Sequence, residues 1–124
     1  MAASNSTEQE ALLWMRKAKE DRDTSIYNFQ GKRLEAAIFY AQQAAEKSLK
    51  ALLLMKEGAY PRIHDLTKLS KQLNAPETIL RHCAMINPAY TSTRYPDEEG
   101  KFSEKDCRIY WMHQRRFWNG QAKK

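Results

Sequence analysis

The 124-residue sequence holds only four glycines and four prolines, and it has almost no β-branched run. So little turn punctuation, with so few Val, Ile and Thr tracts, argues against a sheet and for helices. Two cysteines, Cys83 and Cys107, are too few for a disulfide framework. Neither stands at zinc-ligand spacing, and His82 beside Cys83 makes only a lone pair. Both are expected to be reduced packing residues, as in a cytosolic protein. No apolar run approaches the roughly 20 residues of a transmembrane helix. The opening MAASNSTEQE lacks the apolar region of a signal peptide. The expectation is therefore a cytoplasmic protein with no membrane segment. A Gly-rich phosphate loop is missing, as is any His and carboxylate pairing at metal spacing, so no metal or cofactor is expected.

What is present is an ordinary globular balance, 42% hydrophobic and 29% charged. A chain of this length makes one domain and buries roughly two thirds of its unfolded surface, enough for a core without staples. The formal net charge is +6. Acids are interleaved with the bases, which fits a lysine-rich solvated surface, but the excess also fits an anionic partner such as RNA, a nucleotide or an acidic protein.

The stretch 36–55, AAIFYAQQAAEKSLKALLLM, is the most informative. At about 100° per residue, Ala37, Ala41, Ala44, Ser48, Ala51 and Met55 fall close to one line. Ile38, Ala45, Leu49 and Leu52 form a second apolar row. Small residues admit another helix backbone closely, so this helix is expected to be the central strut of a bundle. Glu35, Gln42, Gln43, Glu46 and Lys50 read as the opposite, polar face, with Lys47 at its border.

Residues 1–6 read as a disordered lead-in and 7–124 as one helical domain. Thr7 followed by Glu10 fits a capping box for the first helix. Its stripe is Ala11, Trp14, Met15, Ala18, Ser25, Ile26 and Phe29, with Arg22 near the middle, reaching an edge or an acid such as Asp21. Gly31 separates the first two helices, and Gly58 is the expected C-cap of the second. His64 or Asp65 opens a helix with Leu66, Leu69 and Leu73 on its apolar face. Asn74-Ala75-Pro76 ends it and starts another, with Ile79, Leu80, Cys83 and Ala84 facing inward. NPAYTSTRYPDEEG reads as a packed loop. Ser103 caps a last helix that buries Cys107, Tyr110, Trp111, Phe117 and Trp118. The sum is an all-α, up-down bundle of four main helices plus a short one.

Three segments in this order, AIFYAQQAAEKSLKALL, IHDLTKL and NPAYTSTRYPD, resemble the HEPN domain family of small helical bundles. The resemblance runs from about Asp21 to the last helix. It implies a HEPN-type fold, frequent dimers and an association with nucleotide binding. Small members are often encoded beside a minimal nucleotidyltransferase as toxin–antitoxin-like pairs, and some branches are metal-independent ribonucleases. Two positions depart from the pattern. Arg22 stands where similar proteins carry an aliphatic residue, and the last helix, with YWMHQRRFW, is more aromatic and basic. Its tryptophans exceed what one small core needs, which makes it a candidate homodimer face.

Three constellations compete as sites. The ribonuclease branches use an Arg followed four to six residues later by His, a spacing met by Arg108 and His113. There the Arg would stabilise phosphate charge and the His would move the proton of a ribose 2′-hydroxyl. Against it, Ile109 stands where a polar residue is usual, and five positions on a helix separate the two side chains by about 140°. In the second, Asp65 caps a helix while His64 packs beside it or contacts a ligand. The third joins Tyr90, Arg94, Tyr95 and Asp97, a phosphate-binding arginine with aromatic walls, to the helix edge bearing Gln43, Lys47 and Lys50. This last is the preferred ligand site. The functional expectation is a nucleotide- or RNA-binding module paired with a nucleotidyltransferase. The alternatives are a metal-independent endoribonuclease and a dimerising scaffold without ligand.

Overall fold

The computed structural model describes residues 5–87. They form four helices, α1 (Asn5–Gln30), α2 (Leu34–Glu57), α3 (Leu66–Gln72) and α4 (Glu77–Ile86), with no strand among the described residues. The expected all-α bundle is what is found, with α3 as the short helix. The expected last helix lies outside the described residues.

Helices α1 and α2 form an antiparallel hairpin joined by a turn at Gly31 and Lys32. Ser25 Oγ donates across it to the Ala37 carbonyl at 2.5 Å. That contact fixes the register: Ala18 lies level with Ala44, and Ala11 with Ala51, in seven-residue steps on both helices. All six of these residues are buried, so small faces small and the backbones can approach closely. Trp14, Met15, Ile26 and Phe29 flank this seam half-buried. The same register explains why Met55 is exposed rather than buried as expected. It falls level with Thr7, at the start of α1, where little helix remains to cover it. Helix α1 itself begins at Asn5, two residues before the expected capping threonine.

The other side of α2 builds the main core. Ile38, Ala45, Leu49 and Leu53 meet Leu66 and Leu69 of α3 and Ile79, Cys83 and Ile86 of α4. Leu52 is only half-buried, and Leu53 takes the deeper place. On α4 the inward positions are 79, 83 and 86, one helical stripe, while Leu80 is half-buried and Ala84 exposed. The expected inward Ala84 is therefore corrected: it lies about 100° round the helix from Cys83, on the solvent side.

Local chemistry sets the helix ends. Gly58 closes α2 in the left-handed region, φ 78°, with its N–H donating to the Leu54 carbonyl. Asp65 caps α3, accepting from the N–H groups of Thr67 and Lys68. Pro76 precedes α4, where its missing N–H is harmless. No helix among the described residues is long and apolar enough to cross a membrane.

Candidate functional site

Helix α2 is buried on more than its two apolar rows. Gln42, Glu46 and Lys50, which the sequence reading placed on the polar face opposite the apolar rows, are all buried. The reason is the chain after Gly58. It turns back along this line, bringing Tyr60 and His64 over it, while Trp14 of α1 closes the other side. Trp14 and Tyr60 meet edge to face, with ring centroids 5.4 Å apart.

Glu46 is the hub of this cluster. Its carboxylate accepts from Lys50 Nζ at 3.0 Å. His64 Nδ1 stands 3.1 and 3.0 Å from its two oxygens. Gln42 Nε2 reaches Glu46 Oε1 at 3.4 Å and the His64 carbonyl at 3.5 Å. An ionised carboxylate only accepts, so the His64 proton sits on Nδ1. Lys50 is further held over the Tyr60 and Trp14 rings, 5.5 and 5.8 Å from their centroids. The buried charge is thus paired and its donors are used, which is the condition for tolerating it in a core. The arrangement clamps the 58–65 loop to α2 and leaves the His64 ring about half exposed.

Beside it lies a second polar joint. Asp65 Oδ1 accepts from Thr67 N, Lys68 N and Asn87 Nδ2. Asn87 Oδ1 in turn accepts from Leu66 N at 2.9 Å. One Asp–Asn pair therefore ties the start of α3 to the end of α4.

The residues singled out from the sequence separate on this framework. Lys50 and His64 come together through Glu46, and Asp65 follows as the cap. Gln43 is half-buried and donates to Gln42 Oε1 at 2.7 Å. Lys47 points to α1, where it pairs with Asp21. Arg22 was expected to reach an edge or an acid such as Asp21; Asp21 pairs with Lys47, and Arg22 reaches Asp23 at 3.5 Å. Tyr90, Arg94, Tyr95, Asp97, Arg108 and His113 lie outside the described residues, as does Cys107. Glu46, Gln42, Trp14 and Tyr60 escaped the sequence reading as site residues. Their signal was the i, i+4, i+8 spacing of Gln42, Glu46 and Lys50, which marks a buried polar seam as readily as a wet face.

Cys83 is chemically quiet. It is buried and free, and burial pushes its thiol up to about 11, against a smaller downward pull from Ser70. Among the described residues no three His, Cys, Asp or Glu side chains gather as a metal site.

A long antiparallel hairpin with two shorter helices packed on α2 defines a small all-α bundle. Comparison with known proteins places it more closely. The family model of the HEPN domain matches residues 11–120, and this chain belongs to the HEPN domain family. Among solved structures it is similar to ST0689, an archaeal HEPN homologue, at 30% identity and a TM-score of 0.75, covering 91% of this chain and 95% of that one. TT1696 from Thermus thermophilus shares the fold at a TM-score of 0.80 and 21% identity, covering 91% of this chain and 96% of that one. No curated protein matches.

Proposed function

We propose that this chain is a nucleotide- or RNA-binding HEPN module that acts as a cytoplasmic homodimer beside a minimal nucleotidyltransferase, as one half of a toxin–antitoxin-like pair. The observation that carries this reading is the HEPN match across residues 11–120 in a chain of net charge +6. The rigid clamp at Glu46 adds support, because it holds a half-exposed imidazole in one place. The test is calorimetric titration of the purified chain with ATP, GTP and single-stranded RNA. Size-exclusion of the chain with a nucleotidyltransferase encoded beside it tests the pairing. Saturable binding supports the module. No binding of any of the three leaves the scaffold.

The helix-edge site needs a careful variant. Lys47→Glu would set a second carboxylate against Asp21, so lost binding there would report damage to the α1–α2 seam. Arg94→Glu is the cleaner probe of the same ligand site. Unchanged binding by a folded Arg94→Glu protein rejects that arginine.

The second reading, a metal-independent endoribonuclease, rests on the spacing of Arg108 and His113. RNA cleavage in EDTA, lost in both folded Arg108→Ala and His113→Ala variants, would establish it in place of the binding module.

A further inference from the structure

Positive charge is unevenly placed over the described residues. Lys47, Lys50 and Arg81 are spent on ion pairs with Asp21, Glu46 and Glu77. Helix α1 sets Arg16, Lys17, Lys19 and Arg22 against five acids. The segment 58–73 is different. It carries Arg62, Lys68 and Lys71 against Asp65, and Asp65 is already engaged as the α3 cap. The three cations are exposed, and none forms an ion pair among the described residues.

Two of the three share one helix face, and Arg62 lies in the loop leading into that helix. Leu66, Leu69 and Ser70 face the core, which leaves Lys68 and Lys71, three positions apart, as neighbours on the outer surface of α3. Lys56 joins them from α2, its Nζ donating to the Leu73 carbonyl at 3.3 Å. His64 lies between Arg62 and α3 in sequence and is fixed by Glu46. The acid bordering this face, Glu57, accepts from Gln72 Nε2 at 2.9 Å. Among the described residues the large exposed apolar side chains are on other helices: Leu12, Leu13 and Tyr27 on α1, Met55 on α2 and Met85 on α4. Protein interfaces centre on buried aromatic, aliphatic or Arg anchors, and α3 presents no large exposed apolar side chain. Cations alone on an open helix face instead suit a repeating anionic backbone.

We propose that the outer face of α3 and the loop before it bind the phosphodiester backbone of single-stranded RNA. Arg62, Lys68 and Lys71 neutralise phosphates there, and His64 stands among them as a fixed polar contact. The inference rests on the RNA-binding reading above and adds the surface. It is independent of Arg94, Arg108 and His113.

The experiment is fluorescence anisotropy of a labelled single-stranded oligouridylate across a salt series. Three proteins are compared: wild type, Arg62→Gln/Lys68→Gln/Lys71→Gln, and Arg16→Gln/Lys17→Gln/Lys19→Gln. Both variants remove three exposed charges, so overall charge is matched. The α3 variant is expected to bind at least about tenfold more weakly at low salt and to flatten the log–log salt slope by roughly two, at about 0.7 for each single-strand phosphate no longer neutralised. The α1 variant is expected to stay near wild type. Equal losses in the two variants, or loss in the α1 variant alone, overturn the surface while leaving RNA binding in place. A wild type that binds no oligouridylate overturns both. Circular dichroism melts confirm that each variant is folded.

Discussion

Removing the Glu46 carboxylate tests whether the buried cluster holds the fold together. Its side chain is 5% exposed and that of Lys50 6%, so neither charge has water to return to without local opening. In Glu46→Leu the ammonium keeps only the two ring faces, an interaction of about 0.5–2 kcal/mol. Breaking a buried pair from one side costs about 3–5 kcal/mol, so a loss of about 3 kcal/mol is expected. Lys50→Met is milder, about 2 kcal/mol, because His64 and Gln42 remain on the carboxylate. The double variant Glu46→Leu/Lys50→Met leaves neither charge behind and should fall within about 1 kcal/mol of wild type. Urea unfolding followed by far-UV circular dichroism, at constant slope, gives all four corners of the cycle. A Glu46→Leu loss under about 1 kcal/mol, or a double variant that sums the singles, would refute the coupling. In a domain stable by only about 5–15 kcal/mol, the predicted single loss is large enough to read without ambiguity.

Three further predictions follow from single positions. Burial raises the Cys83 thiol from 9.0 to about 11. A raised folded-state value stabilises fully below the unfolded thiol's ionisation and is lost as pH climbs from there through about 11. Between those two values wild type should therefore lose roughly 2–3 kcal/mol more than Cys83→Ala, read from urea midpoints; parallel pH profiles would reject the assignment. Asp65→Ala removes the acceptor of two helix N–H groups and of Asn87, and should lower stability by about 1–2 kcal/mol, with Asp65→Asn recovering part of it. Gly58→Ala meets no atom within 4 Å of the added carbon. Its loss, about 1 kcal/mol by thermal melting, would come from the left-handed backbone alone, and Gly58→Asn should lose less.

The hairpin, its central helix and the caps at Gly58 and Asp65 were legible because each depends on local pattern. Alanines at helical spacing, a glycine past Met55 and an aspartate before Leu66 act through their own neighbours in sequence. The polar line of α2 was misread because its fate is decided elsewhere in the chain. Gln42, Glu46 and Lys50 have the spacing of a solvated helix face, and nothing within α2 says otherwise. They are buried because Gly58 turns the chain back and Tyr60 and His64 return across them, while Trp14 arrives from α1. Periodicity reports which residues share a face; it is silent on what that face meets. The same distinction orders the candidate cations. Lys47 and Lys50 looked like ligand contacts from α2 alone, yet Asp21 and Glu46 occupy them. Arg62, Lys68 and Lys71 drew no attention in the sequence because they form no motif. They stand out because the segment 58–73 sets three exposed cations against one acid, Asp65, which is engaged as the α3 cap, whereas the equally exposed Arg16, Lys17 and Lys19 share α1 with five acids.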